Sequence, residues 1–484
     1  MRNLKRALSL ALAAIMLVGM MVVSASAASY NNLTDKDEIV NKDAVSMLVS
    51  LGIIEGKPDG SYAPTENVDR AQMAKMLSVI MNKGVDNSAL YQSVNSGLVD
   101  VNTNWAKGHI NYCYTTGIIA GRGNGKFDPS ATVTALEAAK MLLVAVGYDP
   151  AIEGFEGADW AINVSVRADE QGIFEGFTKD LSAPLNRDDA ALLIYNALDV
   201  EMIQSYTTNN YPIAYSDHRT ILADKYGVIK VQGVVVANEW ASLASDDGDA
   251  ALKEGKTTIY NGEGIFSTTG NTTVSKEDAS LKTQTFNVST PVDMLGKTVN
   301  LYIKKTTILA DSTVYGDPVV SDVNTVVTTG ETVLYSGAKD PQVDYDKLLG
   351  ENGLTDKDAK YFWNYNSGKY IPNTTEKYGD KTANVKGATL TIIDNNGDGE
   401  VDYVLSVEKA LADITSVNSK KETVTVRTLG TLDNKDVVGY EDMAKEDVVL
   451  YVQYGGRTYL EKPEVVTGEM EHFNVKGTEK YICL

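Results

Sequence analysis

Apolar residues recur at helical spacing through residues 29–200, and after Leu198 that period fades. A tyrosine-rich connector follows at 201–225, with a short helix expected at Thr220 to Lys225. From Val228 on, β-branched runs alternate with turn clusters. Val228 to Ala237, Thr298 to Lys304, Thr389 to Ile393, Val401 to Val407, Glu422 to Arg427 and Val448 to Tyr454 read as strands. Asp246 to Asp249, Asn395 to Gly399 and Tyr454 to Gly456 read as turns between them. The pattern predicts a multidomain chain: an all-α repeat domain over 28–200, then all-β modules of sandwich or barrel type over 226–310, 311–410 and 411–484. The last module is left open as incomplete, because the chain ends at Cys483-Leu484 just after a strand.

The helical part is one unit written three times. Gly52-Ile-Ile-Glu-Gly56 recurs as Gly117-Ile-Ile-Ala-Gly121 and as Gly172-Ile-Phe-Glu-Gly176. Pro64, Pro129 and Pro184 each stand at the same offset after the first glycine, and Val40, Trp105 and Trp160 at the same offset before it. Each copy reads as helix, glycine turn, helix, over about 29–84, 98–148 and 154–199. In the second copy Asn104 is placed to cap a helix carrying Trp105, Ile110 and Cys113, with Gly117 as its left-handed stop. The later helix of each copy opens on a side chain able to cap it and a partner three residues on: Asp69/Gln72, Thr134/Glu137, Asn186/Asp189. Such helix pairs cannot bury their apolar faces alone, whereas three around a common axis can.

Composition narrows the function classes. A formal charge of −21 argues against a nucleic-acid partner, whose phosphates require a basic surface. Residues 1–27 read as a secretory signal peptide: basic Arg2, Lys5 and Arg6, an apolar run, then Ala25-Ser26-Ala27. An uncleaved anchor helix is the alternative, and no later stretch is long and apolar enough to enter a membrane. Two cysteines make no disulfide framework, and Cys113 among apolar neighbours reads as a buried thiol. His109, His218 and His472 are isolated, so no zinc motif is present.

The repeats resemble S-layer homology domains. Copy two carries Asp100-Val101, Trp105, Gly117 to Gly121 and Thr134-Ala-Leu-Glu137; copy one carries Val68-Asp-Arg-Ala-Gln72, and copy three Leu185-Asn-Arg-Asp-Asp189. Copy one departs with Val40 in place of tryptophan, copy two with Ala135 in place of arginine. Copy three lacks the Asp-Val start and is shorter between Pro184 and Arg187. The resemblance implies a pseudo-threefold domain that binds a secondary cell-wall polysaccharide, often pyruvylated, in grooves between lobes, and an exported protein of the bacterial cell wall or surface layer, open to self-association. Arg70 and Arg187 would grip a carboxylate, Lys57 and Arg122 support them, Trp105 or Trp160 stack on a sugar, and Gly56, Gly121 and Gly176 admit the ligand to the backbone. Against these stand plainer readings: tryptophans packed in the core, turn cations merely solvated, and glycines kept for the turn.

Beyond the repeats one loop stands out. Asp394-Asn-Asn-Gly-Asp-Gly-Glu-Val-Asp402 matches the start of a calcium loop, with ligands at Asp394, Asn396, Asp398 and Asp402 and the Glu400 carbonyl. Leu405 stands where a helix-loop-helix site needs an acid, so two readings stay open: a hairpin braced by structural calcium, or a plain Asn-Gly/Asp-Gly turn. No other cofactor is implied. No catalytic motif is found, which favours a structural surface protein over a wall-tethered polysaccharide hydrolase or an adhesin using the β modules.

Overall fold

The computed structural model describes residues 30–243, 251–262, 282–304, 309–329, 342–343, 345–367, 383–384, 388–463, 472–476 and 479–483. The leader segment 1–27 and the turn at 246–249 lie outside the described residues, and so does the side chain of Cys483. Two compact units divide the chain. One takes the described residues of Met1–Gly233, Ile259–Val288 and Val299–Val319, the other those of Val234–Thr258, Ser289–Thr298 and Val320–Leu484.

The N-terminal region is helical: α1 (Lys42–Ser50), α2 (Arg70–Met81), α3 (Lys107–Thr115), α4 (Ala135–Val146), α5 (Trp160–Glu170) and α6 (Arg187–Leu198). The first helix of each repeat stops in one way. Gly52, Gly117 and Gly172 take φ of 69°, 80° and 70°, and the next N–H reaches back in Ile53→Leu48, Ile118→Cys113 and Ile173→Ala168 bonds. The second helices start as the sequence predicts. Asp69 and Thr134 make full reciprocal caps with Gln72 and Glu137, and Asn186 accepts from the Asp189 N–H alone.

One start is corrected. The helix expected from Asn104 begins only at Lys107, because the Asn104 side chain accepts from the Ala106 N–H and holds a turn instead. Trp105 therefore precedes α3 and is 59% exposed, off the core face that Ile110 and Cys113 occupy.

The three repeats are tied by hydrogen bonds that close on themselves. Val68 N–H donates to the Leu185 carbonyl, Leu185 to Val133 and Val133 back to Val68, at 2.8, 2.7 and 2.9 Å, and all three side chains are buried. A second trio follows: Ala71 to Pro129, Asp188 to Pro64 and Leu136 to Leu181. Around this ring, one apolar cluster runs from Leu33 to Val228 and includes Phe127, Phe155 and Tyr62. Cys113 lies inside it, its thiol pushed up by burial.

His109 on α3 is also enclosed. Its Nδ1 lies 2.6 Å from Ser78 Oγ and its Nε2 3.6 Å from Asp86 Oδ2. Ser78 is buried and donates to the Lys75 carbonyl, so the trio presents no nucleophile to solvent. Burial lowers the His109 pKa below 6.5, with Asp86 opposing and Lys75 adding. The unfolded chain thus takes up this proton more readily than the folded one, and stability is lost as pH falls below the unfolded value. Urea titrations should show the helical region weakening between about pH 7 and pH 5, with a shallower slope for His109→Gln. Equal slopes would acquit His109.

The connector holds a two-stranded hairpin, Ile203–Tyr206 with Pro212–Ala214. The helix expected at Thr220 to Lys225 is a single wide turn at Leu222–Tyr226. Downstream, the described residues form β-sheets with few short helical segments. Strands appear at Val228–Asn238, Thr298–Lys304, Ala388–Asp394, Tyr403–Glu408, Thr423–Val426 and Val448–Tyr454. Glu422 falls outside its strand because it sits at φ 52° in the preceding turn. In the second unit, one sheet runs in the order Asn366–Ser367, Lys360–Trp363, Tyr403–Glu408, Ala388–Asp394, Thr325–Thr328, and packs Leu390, Ile392 and Val404 against Tyr345 and Leu349 of a short helix, Tyr345–Glu351. A six-stranded sheet, from Gly430–Asp433 at one edge to Val437–Val438 at the other, buries Ile414, Val424, Val426 and Val449.

Candidate functional site

Two grooves lie on the helical region, lined by equivalent residues. The first, about 270 Å³, is lined by the turn Ile53 to Pro58, Tyr62, Gln72, Lys75 and Met76 of repeat one, Trp105 of repeat two and Arg187 of repeat three. The second, about 350 Å³, is lined by Ile118, Ala120 to Arg122, Glu137, Lys140 and Met141 of repeat two, Trp160 of repeat three and Arg70 of repeat one. Each groove therefore takes its hairpin, its tryptophan and its arginine from three different repeats. Of the residues singled out in the sequence, Gly56, Lys57, Trp105 and Arg187 come together in the first groove, and Gly121, Arg122, Trp160 and Arg70 in the second.

The arginines are positioned alike. Arg70 Nε donates to the Phe127 carbonyl at 2.8 Å and its Nη2 to Ala120 at 2.7 Å, with the guanidinium 4.3 Å over the Phe127 ring. Arg187 Nε donates to the Tyr62 carbonyl at 2.7 Å and its Nη2 to Glu55 at 3.3 Å, lying 4.8 Å over the Tyr62 ring. Such a fork ties the neighbouring hairpin while the stacked ring fixes its plane. A carboxylate in turn holds each hairpin end: Asp35 accepts from the Tyr62 and Ala63 N–H groups, and Asp100 from those of Phe127 and Asp128. Ala63 and Asp128 thereby keep φ of 56° and 59°, in the left-handed region. Gly121 is demanded by the hairpin itself, since a Cβ there would sit 2.9 Å from the Lys126 carbonyl.

Cations crowd both grooves. Burial foremost, then the neighbouring Arg122, pulls Arg70 down to about 10, which leaves it charged at neutral pH. Lys140 is lowered by burial and by Arg70, against Glu156, and stands 5.6 Å over the Trp160 ring. Arg122 pairs with Glu137 at 2.8 Å, Lys57 with Glu66, and Lys75 with Glu55 at 3.7 Å. Lys75, Lys140, Tyr62 and Phe127 were not singled out in the sequence. Their signal was there: both lysines stand six positions after the capping residue, and both aromatics ten after the first glycine.

The third seam is built differently. Ala135 stands where the other seams have arginine, Val40 in place of tryptophan, Leu192 in place of Lys75 and Lys140, and Phe177 in place of Lys57 and Arg122. Val40 is 82% exposed and touches little. Gly176, at φ 74°, faces Leu192, and Lys179 is engaged by Asp189 at 2.5 Å.

The 394–402 loop joins two antiparallel strands, and its oxygens accept from its own backbone. Asp394 accepts from Asn396, Gly397 and Gly399, Asn396 from Asp398, Asp398 from Glu400, and Asp402 from Asn395, while the Glu400 side chain pairs with Lys357. Among the described residues no group of three or more His, Cys, Asp or Glu is placed to hold a metal ion.

The S-layer homology domain family matches residues 32–74 and 99–139. The chain is 27% identical over 270 residues to a cell surface protein of Thermoanaerobacter kivui, covering 55% of this chain and 32% of that protein. It is 32% identical over 113 residues to an S-layer protein of Bacillus licheniformis (23% and 12%), and 31% identical over 172 residues to an amylopullulanase of Thermoanaerobacterium thermosulfurigenes (33% and 9%). It thus spans a third or less of each of these relatives. The chain carries S-layer homology repeats and is a cell-surface protein of the bacterial wall. Among the described residues no helix is long and apolar enough to cross a membrane.

Proposed function

We propose that residues 30–200 form a pseudo-threefold S-layer homology domain that holds the protein non-covalently on an acidic secondary cell-wall polysaccharide, through the two cationic grooves. The observation that carries this is the repeated lining: an arginine, a cation just after the turn glycine (Lys57 or Arg122), a helix lysine (Lys75 or Lys140), a tryptophan and the glycine turn occupy matching places in both grooves. A guanidinium edge with two further cations, Lys57 and Lys75 in the first groove and Arg122 and Lys140 in the second, suits a carboxylate on a sugar, a pyruvate ketal being the expected one, and the indole suits the ring's apolar face. The bulk charge of −21 opposes an anionic polymer, so attraction must act at short range, within roughly a Debye length of ~8 Å. The third seam, with Ala135, Phe177 and Leu192, has none of these cations and takes no polymer.

The likeness to surface and S-layer proteins supports a structural role for the remainder, in which the β modules serve as coat or spacer and self-associate into a layer. Pull-down of the full chain on purified wall sacculi, before and after chemical removal of secondary polymers, tests the anchor. Retention is expected on untreated sacculi and loss on stripped ones. Equal retention on bare peptidoglycan would sink it.

A further inference from the structure

We infer that Asn124, at the tip of the hairpin bordering the second groove, is a deamidation site, and that its conversion weakens that groove's hold on an anionic ligand. The ligand part rests on the groove reading above; the modification does not.

The chain holds four Asn-Gly steps, at Asn124, Asn261, Asn352 and Asn396. In three of them the asparagine side chain is tied down. The Asn261 Nδ2 donates to the Gln232 carbonyl, the Asn352 Nδ2 to that of Leu348, and the Asn396 Oδ1 accepts from the Asp398 N–H. Asn124 is exposed and no hydrogen bond restrains its side chain. It sits with Gly125 in a two-residue turn at φ 52° and 69°, closed by the Lys126 N–H on the Gly123 carbonyl at 3.0 Å. With glycine next, no Cβ shields the backbone nitrogen that must react.

In the reaction, the Gly125 nitrogen loses its proton to solvent and attacks Cγ of Asn124. The new C–N bond closes a succinimide as the side-chain nitrogen leaves as ammonia. Water then opens the imide at either carbonyl, giving aspartate or isoaspartate. One neutral amide becomes one carboxylate.

The place of that charge matters. The Arg122 N–H donates to the Lys126 carbonyl at 2.8 Å, so the reacting tip belongs to the hairpin that presents Gly121 and Arg122 to the groove. The same position in repeat one is an acid, Asp59, which accepts from the Ser61 N–H and hydroxyl in a turn closed one step earlier, by the Gly60 N–H on the Lys57 carbonyl. Aspartate tolerates the left-handed φ of Asn124 as asparagine does, so conversion to aspartate changes charge without dismantling the turn.

The test is timed incubation of the full chain in warm, mildly alkaline buffer, read by peptide mapping with isoaspartate detection. Asn124 should convert first among the four Asn-Gly steps, and Asn124→Gln should abolish that product. Conversion at Asn261, Asn352 or Asn396 ahead of Asn124 would overturn the assignment. In parallel, aged wild type and Asn124→Asp should bind polymer-bearing sacculi about two- to fivefold more weakly than fresh protein, the size expected of one screened like charge nearby, while aged Asn124→Gln holds its affinity. Undiminished binding by fully converted protein would refute the functional part. If fresh protein does not bind at all, the groove reading fails, and the peptide map still decides the modification.

Discussion

Arg70→Ala combined with Arg187→Ala should release the protein from polymer-bearing sacculi, with affinity down about a hundredfold, in line with removing charge-assisted contacts at a desolvated carboxylate. Each single variant should leave one working groove and a smaller loss. Both arginines also clamp a hairpin, so folding must be read separately, by circular dichroism and denaturant titration of the same samples. The lysine versions sharpen the result. Arg70→Lys with Arg187→Lys keeps both charges but cannot reach two carbonyls from one plane, so it should restore part of the binding and little of the clamp. Unchanged retention of the double alanine variant would remove the arginines from the ligand's path.

Phe127→Ala should destabilise the helical region by about 3–5 kcal/mol in chemical denaturation. Its ring is fully buried, lies under the Arg70 guanidinium, and its backbone N–H is held by Asp100. Removing it leaves a cavity beneath a buried cation that has lost its stacking partner. Tyr62→Phe in the matching place should cost only about 1 kcal/mol, for the lost bond from the Tyr62 hydroxyl to the Arg187 carbonyl at 2.7 Å. A loss near 1 kcal/mol for Phe127→Ala as well would show that the ring packs less tightly than its burial indicates.

Much of this region was legible in the chain itself because its signals are local. The glycine stops, the capping pairs and the spacing of Pro64, Pro129 and Pro184 are set within a few residues, and the helices appear where those signals fall. Trp105 was misplaced because Asn104 can cap either a helix or a turn, and the choice depends on how the preceding chain arrives. Lys75 and Lys140 carry only the signal of their shared register between repeats, because a lysine on an amphipathic helix is ordinary until a neighbouring repeat lays an arginine beside it. The buried Tyr62 and Phe127 stand beside turn glycines in the sequence, where nothing local says that a guanidinium from another repeat will cover them. In the β region the strand positions follow from β-branched runs, whereas the order of strands in each sheet is decided by pairings far apart in sequence, such as Thr325–Thr328 with Ala388–Asp394.

The way each groove borrows from three repeats constrains how such an anchor can change over generations. A single repeat cut out, duplicated or moved elsewhere brings a hairpin without its arginine or an arginine without its hairpin, so it gains nothing by itself. Attachment strength can be adjusted only by substitutions within the trio or by copying all three together. The seam around Ala135, Val40 and Leu192 is what the first route looks like: a lobe without the arginine, tryptophan and lysine of the other seams, whose Arg187 and Trp160 still line its neighbours' grooves.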